Sequence, residues 1–184
     1  MKMDLIPTPS QTVGPYLHLG LTDGQSIARI AVDGAKGERV WITFCVLDGD
    51  GVPVPDAMIE LWQADAEGNY EHRGANFRGF GRLATAGDGS CTFETIKPGR
   101  VPAPNGTFQA PHINLSVLGR GILKRLSTRL YFAGERLNAV DPALALVPES
   151  RRATLLAQPD PNRSGGWVFE VRLRGDRETV FFDV

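Results

Sequence analysis

The 184-residue chain is sparing with groups that bind metals or move protons: three histidines (His18, His72, His112), three tyrosines (Tyr16, Tyr70, Tyr131) and two cysteines (Cys45, Cys91). Cysteine clusters, zinc spacings, a Gly-rich phosphate cradle and a Gly-x-Ser-x-Gly elbow are all absent from the sequence, which removes several common chemistries. A hard ferric ion takes phenolate oxygen and imidazole nitrogen. Tyr70, His72 and His112 are the pool for such an ion, one or two ligands short. His112 lies in the stretch of residues 109–132, Gln-Ala-Pro-His-Ile-Asn-Leu-Ser-Val-Leu-Gly-Arg-Gly-Ile-Leu-Lys-Arg-Leu-Ser-Thr-Arg-Leu-Tyr-Phe, which reads as a strand, a glycine-flanked turn and a second strand. Residues two apart on a strand share a face, so His112, Asn114 and Ser116 point one way while Ile113, Leu115 and Val117 point the other. The polar row is either a solvated surface or the floor of a site.

The remaining elements must hold that row in place. At 20.0 kDa the chain fits one domain, and a domain of this size buries roughly 70% of the surface its unfolded chain exposes. A net charge of -1, from 20 basic and 21 acidic residues, argues against nucleic acid or a membrane surface held by bulk electrostatics. Cys45 and Cys91 each sit in an apolar strand-like run, so free buried thiols are expected. No run reaches the ~18 residues of a membrane span and no signal-peptide core is present, so a cytoplasmic protein is expected.

In chain order, residues 7–16 (Pro-Thr-Pro-Ser-Gln-Thr-Val-Gly-Pro-Tyr) exclude a helix and favour an extended arm, either a mobile terminus or an arm with a docking site. Residues 17–39 read as loop and turn with a short strand over 27–32. Residues 41–47 are apolar at nearly every position, which predicts a strand covered on both faces. Residues 57–64 form another strand, and 81–85 and 91–95 flank the turn Ala86-Gly87-Asp88-Gly89 as a hairpin. Asp141-Pro142 opens a short helix and residues 148–157 form a second, with Leu155 and Leu156 as its core contacts. Trp167, Phe169, Val171 and Leu173 alternate with polar or exposed positions as a half-buried strand, and residues 179–182 form one more. Short strands punctuated by Gly, Asp and Pro mark an all-β fold, a two-sheet β-sandwich. It is one domain over 1–184: arm and loops (1–39), core sandwich (40–132), a helical and loop segment (133–165) and C-terminal strands (166–184).

Four motifs occur together and in order: Glu60-Leu61-Trp62-Gln63-Ala64-Asp65-Ala66-Glu67-Gly68-Asn69-Tyr70, Thr95-Ile96-Lys97-Pro98-Gly99, Ala110-Pro111-His112-Ile113-Asn114 and Thr128-Arg129-Leu130-Tyr131-Phe132. Through them the chain resembles the intradiol ring-cleavage dioxygenases over nearly its whole length. Pro9-Ser10-Gln11-Thr12-Val13-Gly14-Pro15-Tyr16 and Glu178-Thr179-Val180-Phe181-Phe182-Asp183 narrow the resemblance to the α-type chains of heteromeric members.

The resemblance implies Fe(III) held by two tyrosinates and two histidines in catalytic members. Tyr70 matches the first tyrosine, but Val101 stands where the second belongs. His112 and Asn114 stand at the His-x-His pair, and Gln109 replaces an arginine three residues before that tripeptide. With half the ligands gone this chain is expected to hold no metal, its Tyr70, Val101, His112 and Asn114 being vestigial positions and no residue of this chain alone being catalytic. Fe(III) is then held by a homologous β subunit in an α/β heteromer that cleaves a carboxylate-bearing catechol such as 3,4-dihydroxybenzoate with O2. Thr12, Gly14 and Pro15 of the arm and Arg120 of the Gly119-Arg120-Gly121 turn are expected to line the partner's substrate pocket, although Arg120 also reads as an ordinary solvated turn residue. Two other readings are a self-sufficient metalloenzyme completed by His72 or His18, and a non-catalytic transthyretin-like binding module.

Overall fold

The computed structural model describes residues 8–71, 76–104 and 106–183. Ten strands follow one another as β1 (Arg39–Leu47), β2 (Met58–Gln63), β3 (Phe80–Ala84), β4 (Ser90–Ile96), β5 (Val101–Pro102), β6 (Phe108–Gln109), β7 (His112–Leu118), β8 (Leu126–Phe132), β9 (Leu156–Pro159) and β10 (Gly166–Arg172). Three short helices are α1 (Tyr16–Leu21), α2 (Pro142–Ala145) and α3 (Glu149–Arg152). Eight strands hydrogen-bond in the order β3-β2-β7-β8-β9-β10-β1-β4, and β5 and β6 make a separate two-stranded ribbon. The order turns at β9, which runs parallel to β8 through Tyr131↔Leu156 and antiparallel to β10 through Trp167↔Pro159. The two halves form the layers of a sandwich around one core: Ile59, Leu61, Ile113, Leu115 and Leu130 from the first half pack with Ile42, Phe44, Phe93 and Phe169 from the second. Phe44 anchors the second layer edge-on, 5.7 Å from Phe93 and 6.0 Å from Phe169.

The alternation of β7 and β10 is as the sequence reads, with Ile113, Leu115, Val117, Phe169 and Val171 inward. Asp141 caps α2 with Pro142 at its first position, and Leu155 is fully buried after α3. Several expectations are corrected. β1 is central, between β10 and β4, yet buried only at every second residue, because Trp41, Thr43 and Cys45 face outward and Arg163 covers the Trp41 ring at 4.3 Å. Residues 81–85 and 91–95 are not a hairpin: β3 pairs with β2 and β4 with β1, at opposite ends of the strand order, so the 86–89 turn carries the chain from one layer to the other. Gly89 makes that crossing tight, with φ 73° and a would-be Cβ 2.7 Å from the Val46 carbonyl oxygen. α1 forms where no helix was expected, since six residues are too few to show a period. The Pro15 carbonyl accepts from His18 and Leu19, and Leu17 alone is buried. Residues 27–32 make isolated bridges rather than a strand, and the chain end contributes one bridge, Phe182 to Ser127. The helix expected over 148–157 gives way at its end to β9. Among the described residues no helix is long and apolar enough to cross a membrane.

Outside the first layer a second apolar cluster of Ala110, Tyr131, Leu144, Val147 and Leu155 seats residues 141–155 against Ala110, between β6 and β7, and against Tyr131 of β8. Asp141 is its polar tie. Its fully buried carboxylate accepts from Leu144 N (2.7 Å), from Ala110 N (2.7 Å) and from the Tyr131 hydroxyl (3.1 Å). Asp141→Ala therefore removes a helix cap and strands two buried donors, and should lower unfolding free energy by about 3 kcal/mol. Asp141→Asn, which keeps an accepting oxygen, should lose roughly half of that; urea unfolding of the three proteins compares them.

Candidate functional site

The pairing register assembles the site. β2, β7 and β8 lie side by side, with Trp62 opposite Asn114 and Asn114 opposite Arg129, and in the next outward row Glu60 opposite Ser116 and Ser116 opposite Ser127. His112 stands opposite Tyr131 at the end of the ladder. The polar face of β7 is thus the floor of a site. Residues of α2 and the stretch after it (Ala143, Leu146, Val147) and Val180 and Phe182 of the chain end rise beside the floor, enclosing a cleft of about 680 Å³.

Tyr70 arrives from the turn that follows β2. Asp65 builds the turn by accepting from Glu67 N and Asn69 N, both at 2.9 Å. Gly99 N donates to the Asp65 carbonyl, which docks the 97–99 turn against it. Glycine is required at that seam: a Cβ on Gly68 (φ 90°) would lie 2.0 Å from the Arg100 carbonyl oxygen, and one on Gly99 would lie 2.4 Å from that of Ala66. The same docking carries buried Val101 into the ribbon opposite Gln109. Trp62 then stacks on Tyr70, with centroids 6.1 Å apart and planes at 17°.

The polar contacts form one chain with a determined direction. The Ala110 carbonyl only accepts, so His112 Nδ1, 2.8 Å away, carries a hydrogen. Burial, helped by the Arg129 charge, pushes the His112 pKa down to about 4, so the ring is neutral at pH 7 and Nε2 is a bare acceptor. The Tyr70 hydroxyl, 3.2 Å from Nε2, donates to it and accepts from Asn114 Nδ2 at 2.8 Å. Burial raises the Tyr70 pKa, against the opposing pull of the Asn114 hydrogen bond and the Arg129 charge, so Tyr70 is a neutral phenol. Tyr131 is pushed up to about 12 by burial. The Tyr70 hydroxyl hydrogen and the His112 Nδ1 hydrogen are thereby each spent on a neighbour.

Of the expected positions, the fold brings Tyr70, His112 and Asn114 into direct contact, with Val101 on the adjoining ribbon. His18 sits on α1, with Nδ1 3.4 Å from Thr22 Oγ1, and His72 lies outside the described residues. Thr12 and Arg120 also meet: Gly121 N donates to Thr12 Oγ1 at 2.8 Å, although 109 positions separate them. Gly14 has open space around it, and Pro15 leads into α1. Arg120 is already partnered, its guanidinium held by Asp56 while its side chain stays 75% exposed. These two groups do not converge within the chain, because His112 opens β7 and Arg120 follows its other end, about 20 Å along the strand.

Arg129 is the site residue that sequence reasoning left unassigned. Its Nη1 donates to Gln109 Oε1 at 2.7 Å. The hairpin register is centred between Gly121 and Ile122, which pairs Asn114 with Arg129; reflection about Arg120, the middle of the Gly119-Arg120-Gly121 turn, would have paired Asn114 with Leu126 instead.

Comparison with known proteins extends this geometry. The chain matches the protein family described as Dioxygenase over residues 13–175. It is 45% identical to the protocatechuate 3,4-dioxygenase alpha chain of Burkholderia cepacia, over 96% of this chain and 97% of that one. It is also 38% identical to the beta chain from the same organism, over 76% of this chain and 66% of that one. Among solved structures, the dioxygenase domain of a dioxygenase carbohydrate-binding protein fusion from Streptomyces sp. SirexAA-E superposes with a TM-score of 0.66 at 27% identity, covering 92% of this chain and 99% of that chain.

A buried histidine with a depressed pKa ties stability to pH. The unfolded chain binds a proton at His112 near pH 6.5 and the folded chain only near 4. The stabilisation is complete above about 6.5 and is lost as pH falls towards 4, amounting to about 3 kcal/mol for this group. His112→Gln should flatten the fall of unfolding free energy between pH 7 and 4 by that order, read from urea midpoints of variant and parent across the range.

Proposed function

Because the chain belongs to the intradiol dioxygenase family, we propose that it is the alpha chain of a protocatechuate 3,4-dioxygenase, a subunit that builds and shapes a reaction site it does not itself complete. The assembled enzyme opens the ring of 3,4-dihydroxybenzoate between its adjacent hydroxyls with O2, giving 3-carboxy-cis,cis-muconate. Members of this family use Fe(III), and in this reading the ion belongs to a homologous beta chain.

The observation that carries the reading is the closed hydrogen-bond chain at Tyr70. A ferric site needs anionic oxygen and free imidazole nitrogen, with its ligands deprotonated. Here the phenol keeps its proton and donates a hydrogen bond with it to His112 Nε2, the one nitrogen that could coordinate. Asn114 directs an amide N–H at the phenol oxygen, and Val101 offers only an alkyl group. The donor set does not fit Fe(III), and no step of the reaction is assigned to it.

The division of labour is supported by the position of Thr12 and Arg120. The arm is fastened to the 119–121 turn at the far end of β7 from Tyr70, so both can be presented outward together against another chain. Prolines at 9 and 15 limit the arm's unbound conformations, which reduces the entropy lost on docking. Thr12, Gly14, Pro15 and Arg120 then line the partner's substrate pocket. Arg120 exchanges its exposed ion pair with Asp56 for the substrate carboxylate, an exchange that costs little because such pairs contribute little in water. The whole chain works as one domain of the heteromer. A cytoplasmic setting is supported by two free cysteines, one of them, Cys91, pushed up to about 12 by burial and so unreactive as a thiolate.

Co-purification of this chain with its beta chain tests the assignment directly. His112→Ala should leave iron per heteromer unchanged, and loss of iron in proportion to the substitution would refute it. Arg120→Ala should raise KM for 3,4-dihydroxybenzoate by about tenfold, the order of one charge-assisted contact, with iron content intact.

A further inference from the structure

The tip of the β7–β8 hairpin is tied to the start of β2 by an ion pair that the strand register dictates. β2 and β7 run antiparallel with Met58 opposite Leu118, and two residues beyond that pair the same count sets Asp56 against Arg120. Asp56 is the fixed member. The backbone on either side of it is pinned by the buried Thr85, whose hydroxyl donates to the Val54 carbonyl at 2.7 Å and accepts from Ala57 N at 3.0 Å. The Asp56 side chain is 25% exposed against 75% for Arg120, so a guanidinium on a long stem reaches down to a carboxylate already in place. The pairing is one-sided: Nε and Nη2 of Arg120 both turn to the single oxygen Oδ2, and among the described residues no other acceptor reaches the guanidinium. A carboxylate that offers both its oxygens to the fork makes two parallel bonds where Asp56 makes a shared one.

Resting on the reading of Arg120 as the group that meets the substrate carboxylate, we propose that Asp56 is a specificity-determining residue of this chain, a built-in carboxylate that competes for Arg120 and so sets how strongly the assembled site prefers a carboxylate-bearing catechol to a neutral one. With a neutral ring bound, Arg120 stays on Asp56 and no charge is left without a partner. With 3,4-dihydroxybenzoate bound, the guanidinium swings from Asp56 Oδ2 to the two oxygens of the substrate, and Asp56 is left as one anion facing another. The lost pair and this repulsion both oppose binding of the carboxylate, and neither acts on the neutral ring. Asp56 touches no reacting atom and works only through Arg120.

Steady-state kinetics of the heteromer assembled with its beta chain provide the test, with 3,4-dihydroxybenzoate as substrate and the neutral 3,4-dihydroxybenzamide as competitive inhibitor. Asp56→Asn should lower KM for 3,4-dihydroxybenzoate about threefold, the range of one exposed ion pair, with kcat and the inhibition constant of the benzamide unchanged. In an Arg120→Ala background the same substitution should change neither constant. Asp56→Ser, which also removes the carboxylate, should reproduce the shift and serves if the asparagine variant does not assemble. A KM unchanged in both Asp56 variants, a KM that rises because Asp56 holds Arg120 in its working position, an equal shift for the benzamide, or a shift that persists without Arg120 would each overturn the proposal while leaving the role of Arg120 intact. A heteromer without ring-opening activity, or an Arg120→Ala variant with the parent's KM, would instead refute the reading on which the proposal rests and take the proposal with it.

Discussion

A phenol has one proton to give, and in this molecule its destination is fixed by a backbone carbonyl two bonds of reasoning away. Because the Ala110 oxygen can only accept, His112 must present a hydrogen at Nδ1, and because burial keeps the ring neutral, Nε2 must be bare. Tyr70 therefore donates to His112 and accepts from Asn114. Every member of this chain satisfies the next, which is how a row of polar groups tolerates burial in a sandwich. The same arrangement removes the two atoms, phenolate oxygen and imidazole nitrogen, that a ferric ion would have used.

That chain is held by parts of the fold outside it. Asp141 fixes the Ala110 peptide through its N–H, and the Ala110 carbonyl in turn fixes His112, so a carboxylate on the helical segment orients an imidazole it never touches. The glycine seam between the 65–70 and 97–99 turns positions Tyr70 and Val101 together. β9 closes the arrangement, joining the layer that carries the site to the layer that carries most of the aromatic core.

The two ends of β7 have separate assignments. At its start lies the inward-satisfied remnant with its cleft and the guanidinium of Arg129. Beyond its other end the Thr12 arm and the Arg120 turn are tied to one another and face outward. A strand of seven residues keeps them apart by a fixed distance.

Period-two alternation made β7 and β10 legible, turn chemistry located Asp141-Pro142 and the Gly119-Arg120-Gly121 hairpin, and the order of motifs pointed to the family. These are local properties, written in the spacing of side chains along a strand or the φ a turn demands. α1 and β9 escaped because six and four residues are too short to show a period, and the 81–95 hairpin was misread because two strands joined by a tight turn can belong to different layers. What only the tertiary structure decided is which groups meet: Arg129 beside Gln109, Asp141 under Ala110, Thr12 on Gly121, and the walls that turn a polar strand face into a cleft. Those contacts join residues up to 109 positions apart, and strand pairing and core packing choose them by energies that no single stretch of sequence contains.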